Sequence, residues 1–122
     1  MRVFISQKMN GLTKKEIQTK RMEVLNKFNE WKYLNIKATD IVNPIEKCFY
    51  TRTCEPTRLD YLGEAIKDLA KADIVIFTLD SAEAKGCSVE YECCRMYADI
   101  FRWRIYKETA DGFKQIRYRR SE

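Results

Sequence analysis

The segment from Lys85 to Cys94, KGCSVEYECC, concentrates the residue types that could do chemistry in this chain. It holds three of the five cysteines and two glutamates, Glu90 and Glu92. We expect Glu90 in the first turn of a helix, after a tight turn that Gly86 allows. There, backbone N–H groups and the positive helix end favour an ionised carboxylate, which could act as a nucleophile. Acidic residues at helix starts are also common for stability alone, and both interpretations stay open.

The cysteines around Glu90 also allow two interpretations. A thiol at a helix N-terminus, the place that we expect for Cys87, can have a lowered pKa and react as a thiolate. Without a base beside it, Cys87 is instead a small buried residue. Cys93 and Cys94 are adjacent and point to different helix faces, which is not the spacing of zinc ligands. We therefore expect no metal and no cofactor.

Histidine is absent from all 122 residues. Its absence excludes Ser-His-Asp and Cys-His catalysis, together with every metal site that needs histidine. Acid–base chemistry must then come from carboxyl, tyrosine, lysine or cysteine groups.

Length and composition indicate one soluble domain over residues 1–122. The chain is 45% hydrophobic and 34% charged, and its length fits a single core. The longest apolar run, IVIF, is too short for a membrane span, and MRVFIS lacks the apolar stretch and cleavage site of a signal peptide. The odd number of cysteines favours reduced thiols, so we expect a cytoplasmic protein with no membrane role.

Apolar runs and capping residues predict alternating strands and helices. Arg2–Ser6 is a β-branched and aromatic strand, and Thr13 with Glu16 forms a capping box before a helix over Lys14–Tyr33. Asp73–Leu79 is a continuous apolar run, typical of a strand buried on both faces of a parallel sheet. The other expected elements are a strand over Ile36–Pro44, a helix capped by Thr57, a helix over Cys87–Asp99 with Val89, Cys93, Met96 and Ile100 inward, a strand over Phe101–Tyr106 and a hairpin strand after Gly112.

This order of elements predicts an α/β fold with a mainly parallel sheet of four to five strands, right-handed crossovers and a C-terminal hairpin. In such a sheet, ligands bind outside the carboxyl ends of the strands, where three loops meet. The substrate-binding residues expected in these loops are Ser6, Gln7, Met9 and Asn10 in the first, Asn43 in the second, and Asp80, Ser81, Glu83 and Gly86 in the third.

Three stretches, VFISQKMNGLTKKEI, LDYLGEAIKDLAKADIVIF and AKGCSVEYECCRMYA, resemble a small domain family of uncharacterised function that is widespread in phages and bacteria. That family is similar to the nucleoside 2-deoxyribosyltransferases. The resemblance covers the chain up to about Asp99. It implies a flavodoxin-like three-layer sandwich with a pocket for a nucleoside or nucleotide. It also implies a homodimer or higher homo-oligomer, in the host cytoplasm if a phage encodes the protein.

The resemblance implies catalytic roles for two carboxyl groups. In the transferases, a glutamate four residues after a glycine attacks the anomeric carbon, and this pattern falls on Gly86 and Glu90. An aspartate at the head of the preceding strand assists the leaving base or shapes the pocket, and Asp73 matches it. The small polar residues that shape the sugar pocket correspond to Ser6, Gln7 and Asn10.

Three functions stay open. The first is cleavage or transfer of an N-glycosidic bond of a nucleoside or nucleotide, with Glu90 as nucleophile. Asp73, Asp80 or Glu83 would assist the departing base, provided that its pKa is raised. The second is binding or sequestering of a nucleotide-like ligand without catalysis, because Ala84 stands where the transferases carry an acid. The third is a nucleic-acid or protein interaction factor that uses the basic C-terminal tail of a chain with net charge +5.

Overall fold

The computed structural model describes residues 1–9, 11–44, 58–101 and 103–117, with the backbone alone for residues 58–62 and 99. The elements in this part of the chain are β1 (Val3–Ser6), α1 (Lys14–Lys32), α2 (Arg58–Leu69), β2 (Ile74–Phe77), α3 (Lys85–Phe101), β3 (Arg104–Glu108) and β4 (Phe113–Ile116). Short 3₁₀ turns lie at Ala38–Asp40 and Ser81–Glu83. Within these ranges, no helix has the length and apolar character needed to cross a bilayer.

The four strands form one open, mixed sheet in the order β1-β2-β3-β4. β1, β2 and β3 run parallel, and β3 and β4 form an antiparallel hairpin. Ser6 pairs with Phe77, and Phe77 pairs with Lys107, so the parallel strands end at the same edge. The prediction of an α/β fold with a mainly parallel sheet is confirmed.

Helices cover both faces of this sheet because side chains alternate along each strand. On one face, Ile5 of β1 shares a buried core with Phe28 of α1. On the other face, Phe4 packs in a second core with Leu69 of α2 and Cys94 of α3. The loops at the end of β1 therefore lie between two helical layers.

The predicted capping box starts α1. Thr13 Oγ1 accepts a hydrogen bond from the backbone N–H of Glu16, and the Glu16 carboxylate accepts one from the Thr13 N–H, each over 3.1 Å. The helix ends at Tyr33, whose left-handed backbone with a φ of 56° closes the last turn.

The strand predicted over Ile36–Pro44 is wrong. This segment forms the 3₁₀ turn and then touches β1 through an isolated parallel bridge between Ile41 and Val3. The reason lies in Asn43, whose side-chain amide bonds both backbone groups of Ile5, at 3.1 Å to the N–H and 2.8 Å to the carbonyl. The Asn43 side chain thus supplies the hydrogen bonds to the backbone of β1 that the backbone of a neighbouring strand would otherwise supply.

The face of α3 that packs on the sheet also differs from the prediction. Val89, Met96 and Ile100 are 39%, 61% and 65% exposed, whereas Glu90 and Cys94 are buried. Both faces of the helix carry apolar residues, so periodicity alone did not distinguish them. The core around Phe4 and Phe77 receives Cys94, and this contact turns Glu90 inward.

Candidate active site

The candidate site lies at the edge where the parallel strands end, beside Ser6 of β1. α3 passes this edge and brings Glu90 to Ser6, whose hydroxyl donates a 2.7 Å hydrogen bond to Glu90 Oε1. Both side chains are buried. Open α/β sheets bind ligands at this edge, and two of the predicted site residues meet there.

Glu90 lies one helical turn deeper than predicted. α3 begins at Lys85 rather than near Cys87, so Glu90 is the sixth helical residue and belongs to the second turn. The unpaired N–H groups of a helix are those of its first four residues. The Glu90 carboxyl accepts its hydrogen bond from the Ser6 hydroxyl rather than from these N–H groups.

The carboxyl group of Glu90 is held back from ionisation. Burial raises the pKa of Glu90 to about 7, although the Ser6 hydrogen bond and the positive charge of Arg21 act in the opposite direction. The prediction of a carboxylate whose charged form is favoured is wrong, because desolvation outweighs both attractions. Near neutral pH both protonation states of Glu90 are populated.

Arg21 is a site residue that the sequence interpretation missed. Its side chain is buried, its Nε donates to Gln7 Oε1 and its Nη1 donates to the carbonyl oxygen of Asn43, each over 2.6 Å. Arg21 lies between Ile17 and Phe28 on the buried stripe of α1. A basic residue on an apolar stripe was the available signal, because a buried charge is costly unless it is hydrogen-bonded.

Gln7 and Asn43, both predicted to bind substrate, are buried and support the site. Gln7 Nε2 donates to the carbonyl oxygen of Ile17 over 3.2 Å, while its Oε1 accepts from Arg21. Asn43 holds β1 through its side-chain amide and Arg21 through its carbonyl oxygen. These contacts give both residues a positioning role, and their contact with substrate stays a prediction.

Asp80 follows β2 at the same edge, and its surroundings differ from those of Glu90. Its carboxylate accepts hydrogen bonds from the Thr78 hydroxyl at 2.5 Å, from the Lys8 N–H at 3.2 Å and from Lys20 Nζ at 3.2 Å. Partial burial raises the pKa of Asp80, but the hydrogen bonds and the charge of Lys20 outweigh it, and the pKa is lowered overall. Asp80 is therefore ionised at neutral pH.

The other predicted loop residues lie around this edge. Ser81 is buried in the turn after Asp80. The Glu83 side chain is 66% exposed and pairs with Lys8 over 3.5 Å. Met9 is half-buried in the first loop, and Asn10 lies outside the described residues.

Gly86 does not form the predicted tight turn. It is the second residue of α3, it is exposed, and a Cβ built on it would meet no described atom within 4 Å. The glycine that does need its freedom is Gly11 in the first loop, with a φ of 79°. The backbone therefore does not require a glycine at position 86, four residues before Glu90.

Asp73 lies at the opposite end of the sheet from Glu90. It precedes β2, and its Oδ2 accepts a 2.8 Å hydrogen bond from the N–H of Arg2, the residue before β1. Glu90 contacts Ser6 at the far end of β1, and three residue steps of a strand span roughly 10 Å. The prediction that Asp73 works beside Glu90 is wrong, because a residue that precedes a parallel strand cannot share an edge with those that follow it.

Burial disfavours the thiolate form of all three described cysteines. Burial raises the pKa of Cys87 to about 11; a hydrogen bond with Ser6 lowers it, and the charges of Glu90 and Asp80 raise it further. Burial likewise raises the pKa of Cys94 to about 12 and raises that of Cys93. The interpretation of Cys87 as a small buried residue is confirmed. Its thiol lies close enough to Glu90 and Asp80 to feel both charges.

A cleft of about 290 Å³ opens on the α1 side of the same edge. Its lining includes Gln7, Thr78, Asp80 and Glu108 from the sheet edge, together with Lys20 and Lys27 from α1. Lys20 pairs with Asp80 over 3.2 Å, and Lys27 pairs with Glu108 over 3.0 Å. Glu90 does not line this cleft, since α3 lies on the other face of the sheet.

Two carboxyl groups at this edge have pKa values shifted in opposite directions, raised at Glu90 on the α3 side and lowered at Asp80 in the cleft on the α1 side. Such a pair is typical of acid–base or nucleophilic chemistry, in which one group exchanges a proton and the other stays charged. In the part of the chain described, no group of three or more cysteine, aspartate or glutamate side chains is placed to hold a metal ion. Comparisons of the chain with protein-family models, with curated proteins and with solved structures find no match.

Proposed function

We propose that this protein cleaves the N-glycosidic bond of a nucleoside or nucleotide, or transfers its sugar, with Glu90 as the nucleophile. The observation that carries the proposal is the buried Glu90 carboxyl at the carboxyl edge of a parallel sheet, oriented by Ser6 and close to Arg21. The resemblance of the motifs around Ser6 and Glu90 to the deoxyribosyltransferases supports the same chemistry.

The proposal includes a flavodoxin-like sheet in which the second strand is reduced to a bridge. Ile41 pairs with Val3 in parallel, on the side of β1 opposite β2. That is the place of the second strand in a flavodoxin-like order.

In the proposed reaction, the ionised form of Glu90 attacks C1′ of the sugar. The Oε–C1′ bond forms while the bond from C1′ to the base nitrogen breaks, and the electron pair leaves with the base through an oxocarbenium-like state. The departing base takes up a proton from solvent, and water or a second base then attacks C1′, loses its proton to solvent and releases the Glu90 carboxylate, which gives hydrolysis or transfer. Ser6 keeps the attacking oxygen in place through its 2.7 Å hydrogen bond.

Asp80 has a different role from the leaving-group acid considered from the sequence. Because its pKa is lowered, Asp80 is charged at neutral pH and is suited to accept hydrogen bonds from sugar hydroxyl or base N–H groups. Glu83 is exposed and paired with Lys8, and Asp73 is at the other end of the sheet. We therefore propose Glu90 as the nucleophile, with Asp80, in the cleft on the α1 side of the same edge, as the charged acceptor for substrate hydroxyl or N–H groups.

A base-release assay tests this function. Deoxynucleosides, ribonucleosides and their monophosphates are incubated with the protein, and free base is separated by chromatography. Glu90→Gln is expected to lower the rate by at least about 1,000-fold, because the nucleophile is lost while the neutral shape is kept. The matched control is Glu92→Gln, since Glu92 is exposed on the same helix and pairs with Arg95 over 2.8 Å; it should keep wild-type activity.

The pH profile of the same assay tests the role of Glu90. A nucleophile must be ionised, so kcat/KM should rise with pH through about 7, the pKa of Glu90. A rate that falls over this range would contradict the nucleophilic role. Release of no base from any substrate, by wild type and Glu90→Gln alike, would contradict the proposed function itself.

A second candidate, binding of a nucleotide-like ligand without catalysis, is favoured by the cleft that Glu90 does not line. Lys20 and Lys27 on its wall could exchange their ion pairs for a phosphate, while Asp80 could accept from sugar hydroxyl groups. Calorimetry should then show binding without turnover, weakened by Lys27→Met. Absence of binding by every nucleoside and nucleotide would contradict this candidate. Of the basic tail on which the nucleic-acid alternative depended, Arg102, Arg119 and Arg120 lie outside the described residues, whereas Arg104, Lys107, Lys114 and Arg117 are described and exposed.

A further inference from the structure

Three aromatic rings follow one another where α3 meets β3. Phe101 ends the helix, and its ring stacks on that of Trp103 with 4.8 Å between centroids and 11° between planes. The Trp103 Nε1–H donates a 3.0 Å hydrogen bond to the carbonyl oxygen of Leu69, which fixes the orientation of the stack. Tyr97, one helical turn earlier, meets the Phe101 ring edge to face over 6.4 Å. Phe101 and Tyr97 stay 42% and 44% exposed, so solvent reaches the end of the stack.

Arginines lie beside these rings, along the edge of the sheet at which the parallel strands begin. Backbone hydrogen bonds connect them: the Asp73 N–H donates to the carbonyl oxygen of Arg2 over 2.9 Å, and the Arg104 N–H donates to that of Asp73 over 3.0 Å. Arg104 directly follows Trp103 in the chain. Arg117 lies opposite Arg104 when the register of the β3–β4 hairpin is continued by one pair.

The positive charge of this edge has no local counterpart. Arg2, Arg104 and Arg117 are exposed, and their guanidinium groups form no ion pair with the carboxylates of the described residues. The Asp73 carboxylate accepts from the backbone N–H of Arg2 instead. Like charges directly opposite each other on paired strands are destabilising, so the placing of Arg104 against Arg117 costs stability. Such a cost is typical of a surface that binds an anion.

We propose that this edge binds single-stranded nucleic acid, with a base stacked on Phe101 and Tyr97 and phosphates held by Arg2 and Arg104. Surfaces for single strands combine aromatic side chains, on which bases stack, with cations that follow the phosphate backbone. Both parts adjoin here through neighbouring residues. The planar guanidinium group also binds phosphate through two parallel hydrogen bonds, which a lysine cannot do.

A bilayer surface is the alternative occupant, because Ile100 and Met96 extend the apolar face of α3 and are 65% and 61% exposed. Tryptophan at a bilayer surface places its N–H among the lipid headgroups. The N–H of Trp103 is instead bonded to Leu69 within the protein, and its ring is half-buried under Phe101. The parallel ring pair therefore matches a stacked base better than it matches lipid.

This inference does not rest on the proposed function. The edge at Arg2 and Arg104 is opposite to the one that carries Ser6 and Glu90, so Glu90→Gln should bind a single strand as wild type does. It also differs from the alternative that the basic tail alone suggests, because it depends on the rings of α3 and on Arg2 near the other end of the chain.

Fluorescence anisotropy of the full chain with labelled oligomers of about 12 thymidine or uridine nucleotides tests this surface. Tyr97→Leu/Phe101→Leu should raise the dissociation constant by at least about 10-fold, because the variant keeps apolar bulk and loses the rings on which bases stack. The matched control is Tyr33→Leu, which removes a ring that is 94% exposed at the end of α1, on the other face of the sheet. It should bind as wild type does, and circular dichroism checks that both variants are folded.

The salt dependence of binding tests the arginines. For single strands, the logarithm of the association constant falls with the logarithm of the salt concentration by about 0.7 for each phosphate contact. Arg2→Gln/Arg104→Gln should therefore reduce this slope by about 1.4. Lys14→Gln/Lys15→Gln removes two exposed charges at the start of α1 and should leave the slope unchanged.

Four outcomes would overturn the proposal. Binding of equal strength by Tyr97→Leu/Phe101→Leu would show that charge alone attracts the oligomer, including the charge of the tail. A wild type that binds anionic phosphatidylserine vesicles and no oligomer would assign the surface to lipid. Tighter binding to a duplex than to its separate strands would exclude base stacking on the rings. A wild type that binds none of these ligands at low salt would remove the site altogether.

Discussion

The fold shifts the pKa values of two carboxyl groups at one sheet edge, Glu90 and Asp80, in opposite directions. Glu90 is buried under α3 on one face, with a single hydroxyl donor and a raised pKa of about 7. Asp80 lies on the rim of the cleft on the other face, with three donors and a lowered pKa. The difference teaches that the number of donors relative to the depth of burial, rather than the residue type, decides which carboxyl stays charged.

The largest expected effect is that of replacing Arg21, whose positive charge acts on Glu90 and is not among the causes of the Asp80 pKa shift. Arg21→Met should lower the free energy of unfolding by about 4 kcal/mol, because Gln7 Oε1 and the Asn43 carbonyl lose a buried donor. The pKa of Glu90 should rise further above 7, since the positive charge beside it is gone. Urea unfolding and carboxyl NMR titration measure the two quantities.

The matched control for Arg21 is Lys20→Met, one residue away on the exposed side of α1. Lys20 pairs with Asp80 at the surface over 3.2 Å, so its loss should cost less than about 1 kcal/mol. Equal losses in the two variants would contradict the view that the buried network around Glu90 is the stabilising one.

The second effect is the pH dependence of stability that the raised pKa of Glu90 should cause. Its pKa rises from an ordinary 4.5 to about 7 on folding, so the folded state binds the proton more tightly and stability falls as pH rises between these values. Glu90→Gln cannot ionise. It should therefore match wild type below about pH 4.5 and exceed it by up to about 3 kcal/mol above pH 7.

Urea unfolding at a series of pH values, at fixed protein concentration, measures this difference. Glu92→Gln should retain the pH dependence of wild type, because Glu92 is exposed on α3. If the difference in the free energy of unfolding between Glu90→Gln and wild type did not change with pH, the buried charge of Glu90 would not be what destabilises the folded state.

The smallest effect should come from Asp80, with the opposite sign. Its pKa is lowered from 3.8, so its contribution is present above that pH and is lost as pH falls through the folded-state value. Asp80→Asn should lower stability near neutral pH by about 1 kcal/mol, and the loss should vanish in acid. A stabilising Asp80→Asn, as expected for Glu90→Gln, would remove the contrast between the two groups.

Local patterns predicted most of the framework, although the strand expected over Phe101–Tyr106 begins only at Arg104, because Phe101 is the last residue of α3. The apolar run ending at Phe77 is a central strand, Thr13 and Glu16 cap α1, and the second strand of a hairpin follows Gly112. These features depend on contacts within a few residues or on burial from both sides, which composition reveals directly.

Choices between equivalent local patterns were not predicted. α3 is apolar on two faces, and only packing against the sheet selected the one that carries Cys94 and Glu90. The segment at Asn43 had a strand-like composition, but its side chain took the place of backbone pairing. Asp73 matched a motif in the sequence, yet strand direction put it at the wrong end of the sheet.

The sequence by itself determined the fold class, and it predicted the edge at which a site could form and Glu90 as its candidate carboxyl group. The tertiary structure decided which residues surround Glu90. Ser6 contacts its carboxyl group and Arg21 acts on it with a positive charge, whereas Asp73 lies at the other end of the sheet and Asp80 on the other face. Only tertiary structure could decide its charge, because a pKa depends on the water removed and the donors supplied by residues distant in the chain.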